Sequence, residues 1–218
     1  GGPDIAYYRK GSAASQITTH DIDGLDLFGC ERLHVTGIFP AVSPSALAAT
    51  KRLISRAKAL ELPISFDPNL RPQLWESEKK MAATLNELAQ GVETVLPGMG
   101  EGQLLTGRDT PQGVAEFYHG MGVKNVVVKL GKDGAYFSQK DGASGYSPAF
   151  PVREKVDTVG AGDGFAAGVI SALAEGETLE EAAFRGNVMG AIQITNRSDN
   201  EGLPTREQLS QVILAGTA

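Results

Sequence analysis

The chain has 218 residues, 41% of them hydrophobic, and a formal net charge of −6. That is enough for one substantial core; the acidic balance argues against nucleic acid as the main partner, and the lack of an apolar run of spanning length argues against a membrane. The one cysteine, Cys30, excludes an internal disulfide and fits a reduced, cytoplasmic setting, and the three histidines (His20, His34, His119) lack ligand spacing, so no metal site is expected.

Gly1 to Asp4 carry neither a basic region nor an apolar signal core. Asp4 to Arg9 reads as a strand ending in a charged loop, and Ser12 to Ser15 as a turn or the start of a short helix. Tyr7 and Arg9 on such a loop could hold a hydroxylated or carboxylated ligand, because a guanidinium forks onto a carboxylate; a solvated loop is the alternative. Leu33 to Phe39 reads as a short strand ended by Pro40. Ser43-Pro44 opens a helix, with serine as cap and proline in the first turn. Leu62 to Phe66 is the next strand. Asp67-Pro68-Asn69-Leu70-Arg71-Pro72 follows it as a rigid polar loop, either a ligand loop or a turn with a local Asp–Arg pair.

Ser77 to Ala89 has the period of an amphipathic helix, and Glu93 to Leu96 reads as a strand stopped by Pro97-Gly98. Glu101 stands in a segment that turns helical and ends at Gly107; Thr110-Pro111 caps a further helix to about Gly120. Lys124 to Leu130 is a β-branched strand, returned by a Gly131-Lys132-Asp133-Gly134 turn into Ala135 to Ser138. Phe150 to Val152 reads as an edge strand. A helix runs from Asp163 to about Ala174, and Thr178 with Glu181 caps another that contains Gly186, Asn187 and Gly190. Those small residues permit close approach of a second helix or of a flat ligand. Asp199 lies in a loop, and Pro204 to Leu214 is a last helix.

Strands alternating with helices predict an α/β, three-layer αβα fold with a mainly parallel sheet. The polar clusters then gather after strand ends, at the carboxyl edge where ligands of open α/β sheets bind. The densest cluster is Asp157-Thr158-Val159-Gly160-Ala161-Gly162-Asp163. Its glycines allow a tight turn, and the helix behind them offers free N–H groups and a partial positive charge. That makes an anion cradle, with Asp163 placed to accept a proton from an attacking hydroxyl. A dinucleotide fingerprint fits poorly, because the preceding Arg153 to Asp157 is too charged for a buried strand. No Walker-type Gly-x-x-x-x-Gly-Lys-Ser/Thr occurs.

Asp157 to Asp163 resembles the signature of the ribokinase-like (PfkB) carbohydrate kinases. Together with Phe66 to Arg71 and Tyr7 to Ala13, it is similar to the members that act on 2-keto-3-deoxygluconate. The resemblance covers essentially the whole chain and implies a ribokinase-like fold and ATP-dependent phosphorylation of a sugar-acid hydroxyl, with Mg2+ bridging the nucleotide phosphates. It implies that Asp163 removes the hydroxyl proton and that the N–H groups around Gly160, Ala161 and Gly162 stabilise the γ-phosphoryl group. It puts ATP near Asn69, Leu70 and Arg71, along Leu130, Gly131, Lys132, Asp133, Gly134 and Ala135, and near Asn187. The sugar acid falls near Tyr7, Arg9, Arg71, Asp163 and Asp199, where an arginine pair suits its carboxylate. Fructose or ribose as acceptor is the alternative within the family, and a nucleotide-binding chain without turnover is the alternative outside it. Two departures stand out. Gly98 occupies the position of a frequent Asn, with Glu101 retained, and the usual N-terminal strands, lid and Gly-Gly element are not recognisable before Tyr7. The chain therefore resembles the C-terminal two-thirds of such a kinase, one domain over 1–218. The lid is a dimer contact in related kinases, which leaves a homo-oligomer open.

Overall fold

The computed structural model describes residues 9, 11–197 and 202–218. Helices α1 (Ala13–Gln16) and α2 (Thr19–Asp23) precede strand β1 (Leu33–Thr36). Helices α3 (Ile38–Val42) and α4 (Pro44–Ala59) lead to β2 (Ile64–Asp67), and α5 (Glu78–Ala89) leads to β3 (Thr94–Val95). Helices α6 (Met99–Thr106) and α7 (Pro111–Gly120) lead to β4 (Asn125–Lys129), which turns back as β5 (Ala135–Gln139) and β6 (Ser144–Ser147). Helices α8 (Ala161–Ala174), α9 (Leu179–Gln193) and α10 (Arg206–Ala215) complete the described order.

The strands form a six-stranded sheet in chain order, β1 to β4 parallel and β5 and β6 antiparallel. Side chains alternate between its faces. Val35, Phe66, Val95, Val126, Val128 and Tyr136 share one buried cluster with Met81, Leu85, Val114 and Tyr118 of α5 and α7. On the opposite face, Val127, Ala135 and Phe137 pack with Phe165 and Val169 of α8 and Ala182 and Ala183 of α9. Under β1 to β3 and the start of β4 the same face is polar, with His34, Ser65, Thr94 and Asn125. The ring Nδ1 of His34 lies 3.0 Å from Ser65 Oγ, and Asn125 Nδ2 donates to Thr94 Oγ1 at 3.4 Å.

Caps set the helix starts as the sequence indicates. Ser43 Oγ accepts from Ala46 N–H at 3.1 Å with Pro44 at the first helical position. Thr178 Oγ1 accepts from Glu181 N–H at 3.2 Å, and Glu181 accepts the Thr178 N–H at 2.9 Å; such caps contribute about 1 kcal/mol each. The small residues of α9 permit close helix packing. A Cβ on Gly168 of α8 would meet the Gly186 Cα at 2.8 Å, and one on Gly186 would meet the Phe165 ring at 2.9 Å.

Two element expectations are corrected. The strand beginning at Leu33 stops at Thr36, and Ile38 to Val42 is helical with Pro40 inside it. Pro40 is the third residue of that helix, where an N–H has no intrahelical acceptor to lose. Phe150 to Val152 is not a strand; the edge of the sheet is β6. Pro151 lacks an N–H for a ladder, and its carbonyl instead accepts from Ala218 N–H at 3.0 Å, while Arg153 N–H donates to Ala218 O at 3.1 Å.

Candidate active site

The carboxyl ends of β2, β3 and β4 meet in a ring of hydrogen bonds. Asp67 ends β2 and is 2% exposed. Its Oδ2 accepts from Lys129 Nζ at 2.7 Å, and its Oδ1 accepts from the Asn69 N–H at 3.1 Å. Asn69 itself sits at φ 39°, a backbone region that Asn tolerates better than most residues. The next N–H, from Leu70, goes to Glu101 Oε1 at 2.8 Å, and Glu101 Oε2 accepts from Gly98 N–H at 2.7 Å. Lys129 closes the ring through its own N–H, which donates to Pro97 O at 2.8 Å. The Asp67 partner is therefore Lys129, 62 positions away, and not Arg71. A Cβ at Gly98 would stand 3.3 Å from Glu101 Oε2, a tight contact with the carboxylate that turns back on it.

Close backbone approach holds this ring against β1. The Gly37 N–H donates to Asp67 O at 2.8 Å, and a Cβ on Gly37 would fall 2.0 Å from Pro68 O, so only glycine fits. Burial pushes the Asp67 carboxyl up to about 6, against the pull of the Lys129 ammonium, with Glu101 adding to the rise.

The glycine turn faces this ring. Asp157 Oδ1 accepts from the N–H groups of Thr158 and Val159 at 2.6 and 3.1 Å, which folds the chain into Gly160. Gly160 has φ 75° and is the N-cap of α8. Among the described residues no acceptor takes the N–H groups of Gly160, Gly162 or Asp163. Asp163 is exposed in the first turn of α8, beside those donors. A Cβ on Gly162 would lie 3.9 Å from Lys129 Nζ, so the turn and the ring share one cleft. His34 feels both: withdrawal of its ring from water holds it below its usual range, the Asp163 carboxylate acts against that, and the Lys129 ammonium acts with it.

The remaining site residues divide. Leu130 to Gly134 form the tight turn between β4 and β5, with Gly131 at φ 62° and Gly134 at φ 88°. Gly134 passes so close to β6 that a Cβ would lie 2.1 Å from Ser147 O. Lys132 and Asp133 pair at 3.2 Å on the exposed tip, Ala135 is buried at the start of β5, and Leu130 packs on the core. Arg71 is half-buried and donates to Leu70 O at 2.8 Å. Asn187 is buried, and its Nδ2 donates to Ser147 O, Ser147 Oγ and Pro148 O at 3.2, 3.0 and 3.0 Å, tying α9 to the end of β6. Arg9 is exposed; Tyr7 and Asp199 lie outside the described residues.

Asp67 and Lys129 are not among the residues expected from the sequence. The available signal is a lysine closing the buried Val126-Val127-Val128 run at the carboxyl edge, where a buried strand has no other use for a charge. Among the described residues no group of three His, Cys, Asp or Glu side chains could hold a metal ion, and both Glu101 oxygens are taken by backbone donors.

The profile of the pfkB family carbohydrate kinases matches residues 1–206. The chain belongs to that family. A pfkB relative from Bacillus subtilis (strain 168), 2-dehydro-3-deoxygluconokinase, is 46% identical over 217 residues, 99% of this chain and 66% of its own length. Among solved structures, a PfkB protein from Polaromonas sp. JS666 has 48% identity and a TM-score of 0.84 over 95% of this chain and 66% of its own. A protein of E. coli assigned to ribokinase II, solved with ATP and Mg2+, has 27% identity and a TM-score of 0.86 over 97% of this chain and 68% of its own. The chain thus spans just under two thirds of the length of the Bacillus relative; its fold is the α/β arrangement expected from the strand–helix alternation, and the ribokinase-like one that the resemblance implies. No helix among the described residues is long and apolar enough to cross a membrane.

Proposed function

We propose that the protein is an ATP-dependent kinase that phosphorylates a hydroxyl of 2-keto-3-deoxygluconate, giving the 6-phosphate. The observation that carries this reading is the placement of Asp163 beside the N–H groups of Gly160 and Gly162, which have no acceptor among the described residues, at the start of a fourteen-residue helix. The acceptor oxygen forms a bond to the γ-phosphorus as its proton passes to Asp163, the bond to the β-phosphate oxygen breaks, and ADP leaves. Developing charge on the γ-phosphoryl oxygens is met by the glycine-turn amides, so catalysis is mostly positioning and electrostatics. General-base help of this kind contributes about 10²–10⁴-fold.

The ATP assignment is supported by the relative solved with ATP and Mg2+. Asn69 to Arg71, the Leu130 to Ala135 turn and Asn187 are its proposed surroundings. Magnesium favours phosphate and water ligands over an all-protein cage; brought by the nucleotide, it would withdraw charge from the phosphates. The sugar-acid assignment is supported by the relative named 2-dehydro-3-deoxygluconokinase. Arg71, with Arg9, Tyr7 and Asp199, makes up its proposed surroundings. The lone exposed Cys30 fits a cytoplasmic protein.

The test is ATP-dependent turnover by the complete protein of 2-keto-3-deoxygluconate against fructose, ribose and adenosine. Preference for the sugar acid is expected; preference for fructose would keep the kinase and remove the substrate. ATP binding with no turnover of any of them would leave a nucleotide-binding protein.

A further inference from the structure

Parallel strands are commonly apolar on both faces, yet the face toward α8 carries a polar row across β1 to β4. His34 stands beside Ser65, Ser65 beside Thr94, and Thr94 beside Asn125. Val35 points the other way, into the core. The apolar cover supplied by α8 and α9 reaches Leu96, just past β3, and no strand nearer to β1. His34 is therefore exposed on the cleft side, while Ser65 and Thr94 are fully buried.

One ring nitrogen of His34 is engaged: Nδ1 lies 3.0 Å from Ser65 Oγ. Its Nε2 has no partner among the described residues. The glycine turn is close. Thr36, two residues on and on the same face, stands beside Asp67, whose Oδ2 accepts from Lys129 Nζ next to Gly162. The imidazole thus lies about 6.5 Å below the strand ends. Desolvation, aided by the Lys129 ammonium, holds it below its usual range against the pull of the Asp163 carboxylate, so both charges lie within its electrostatic reach. A neutral imidazole is a poor partner for a carboxylate or a phosphate. It suits a hydroxyl, which can donate to a bare ring nitrogen or accept from a ring N–H, whichever tautomer is present.

We propose that His34 is a specificity-determining residue, whose free Nε2 makes a hydrogen bond to the acceptor hydroxyl adjacent to the one that Asp163 deprotonates. The ligand class is a vicinal diol at the end of a sugar chain. For 2-keto-3-deoxygluconate phosphorylated at C6, the hydroxyl that His34 reads is the one on C5. The ring takes no part in the proton transfer; it selects acceptors that carry the second hydroxyl. The proposal rests on the kinase reading and adds the group that reads the acceptor from the β1 side of the cleft.

The experiment is steady-state kinetics of the complete protein, as wild type, His34→Leu and His34→Gln, with 2-keto-3-deoxygluconate and with its 5-deoxy analogue. In His34→Leu, KM for the sugar acid should rise about five- to tenfold, the scale of one neutral hydrogen bond, with kcat within about twofold and Kd for Mg-ATP unchanged. The 5-deoxy analogue should serve the wild type correspondingly less well, and its KM should not distinguish wild type from His34→Leu. His34→Gln keeps a donor and an acceptor and should recover part of the loss. An unchanged KM in His34→Leu would overturn the proposal. So would a KM that rises as much for the 5-deoxy analogue as for the parent, or a raised Kd for Mg-ATP. Preference of the wild type for fructose would sink the substrate reading alone, and KM of His34→Leu for fructose then decides the role of His34. Turnover of no sugar at all would sink the kinase reading. In that case the ring-nitrogen NMR signals of the three histidines, followed as the sugar acid is added, decide: a shift at His34 Nε2 supports the hydrogen bond, and an unmoved ring overturns it.

Discussion

The two sides of the cleft are built on opposite plans. On the ring side every group named is committed: Glu101 holds two backbone N–H groups, and Asp67 holds one more together with Lys129 Nζ. On the turn side the N–H groups of Gly160, Gly162 and Asp163 have no acceptor among the described residues, and Asp163 is exposed. One side spends its polar groups on itself and keeps its shape; the other leaves them without a partner among the described residues, as the proposed anion cradle requires. The contrast implies that substitutions should separate cleanly, changing stability on the ring side and turnover on the turn side.

The largest expected effect is on the turn. Asp163→Asn in the complete protein should lower kcat by about 10²–10⁴-fold, the range of general-base catalysis. Its unfolding free energy should stay within about 0.5 kcal/mol of wild type, as for other exposed positions. Near-normal turnover would remove the base role, and a large stability loss would erase the contrast.

The next effect is a pH dependence on the ring. The Asp67 carboxyl is pushed from 3.8 to about 6 in the fold, so the unfolded chain gives up this proton first. The stabilisation tied to the proton is complete below about pH 3.8 and is lost as pH rises through about 6. The shift corresponds to about 3 kcal/mol. Asp67→Asn cannot titrate. The stability difference between variant and wild type should therefore move toward the variant by about that amount between about pH 4 and 7.5 in chemical denaturation. A flat difference would mean that burial of Asp67 carries no such cost.

A smaller loss is expected at Glu101. Glu101→Ala frees two half-buried N–H groups and should cost about 2–3 kcal/mol, since bonds to a charged acceptor are worth more than neutral ones. Thermal or denaturant unfolding reads this directly. A change below about 0.5 kcal/mol, the scale of a neutral surface position, would show that the ring does not brace the cleft.

Local chemistry makes much of the molecule legible from the sequence. Ser43-Pro44, Thr110-Pro111 and Thr178 with Glu181 carry their helix starts in a few adjacent residues, and the glycine turn announces the start of α8 by composition alone. The clustering of Asn69, Glu101, Gly131 and Gly160 at one edge also follows from strand order. What stays hidden depends on register between distant segments. Asp67 meets Lys129 only because β2, β3 and β4 align their ends, and within its own loop Asp67 has Arg71 as a nearer candidate. Glu101 can be placed near the site from its position, but its bond to Leu70 requires the loop after β2 to reach the start of α6. Composition puts the edge strand in the wrong place, because Phe150-Pro151-Val152 has β-forming residues, while Ser144 to Ser147 has a glycine and two serines. Pairing with β5 decides the matter.

The glycine contact between α8 and α9 has a bearing on how variants of this protein should be sorted. Gly168 lies five residues beyond Asp163 on the same rigid rod, about 7.5 Å along the axis, and it lets that rod rest against Gly186. A methyl group at Gly168 would displace the whole rod and carry the glycine turn, the proposed phosphate cradle, with it. A survey that ranks positions by distance from the reacting atoms would file Gly168 as remote, yet its substitution should look like an active-site lesion in every rate measurement.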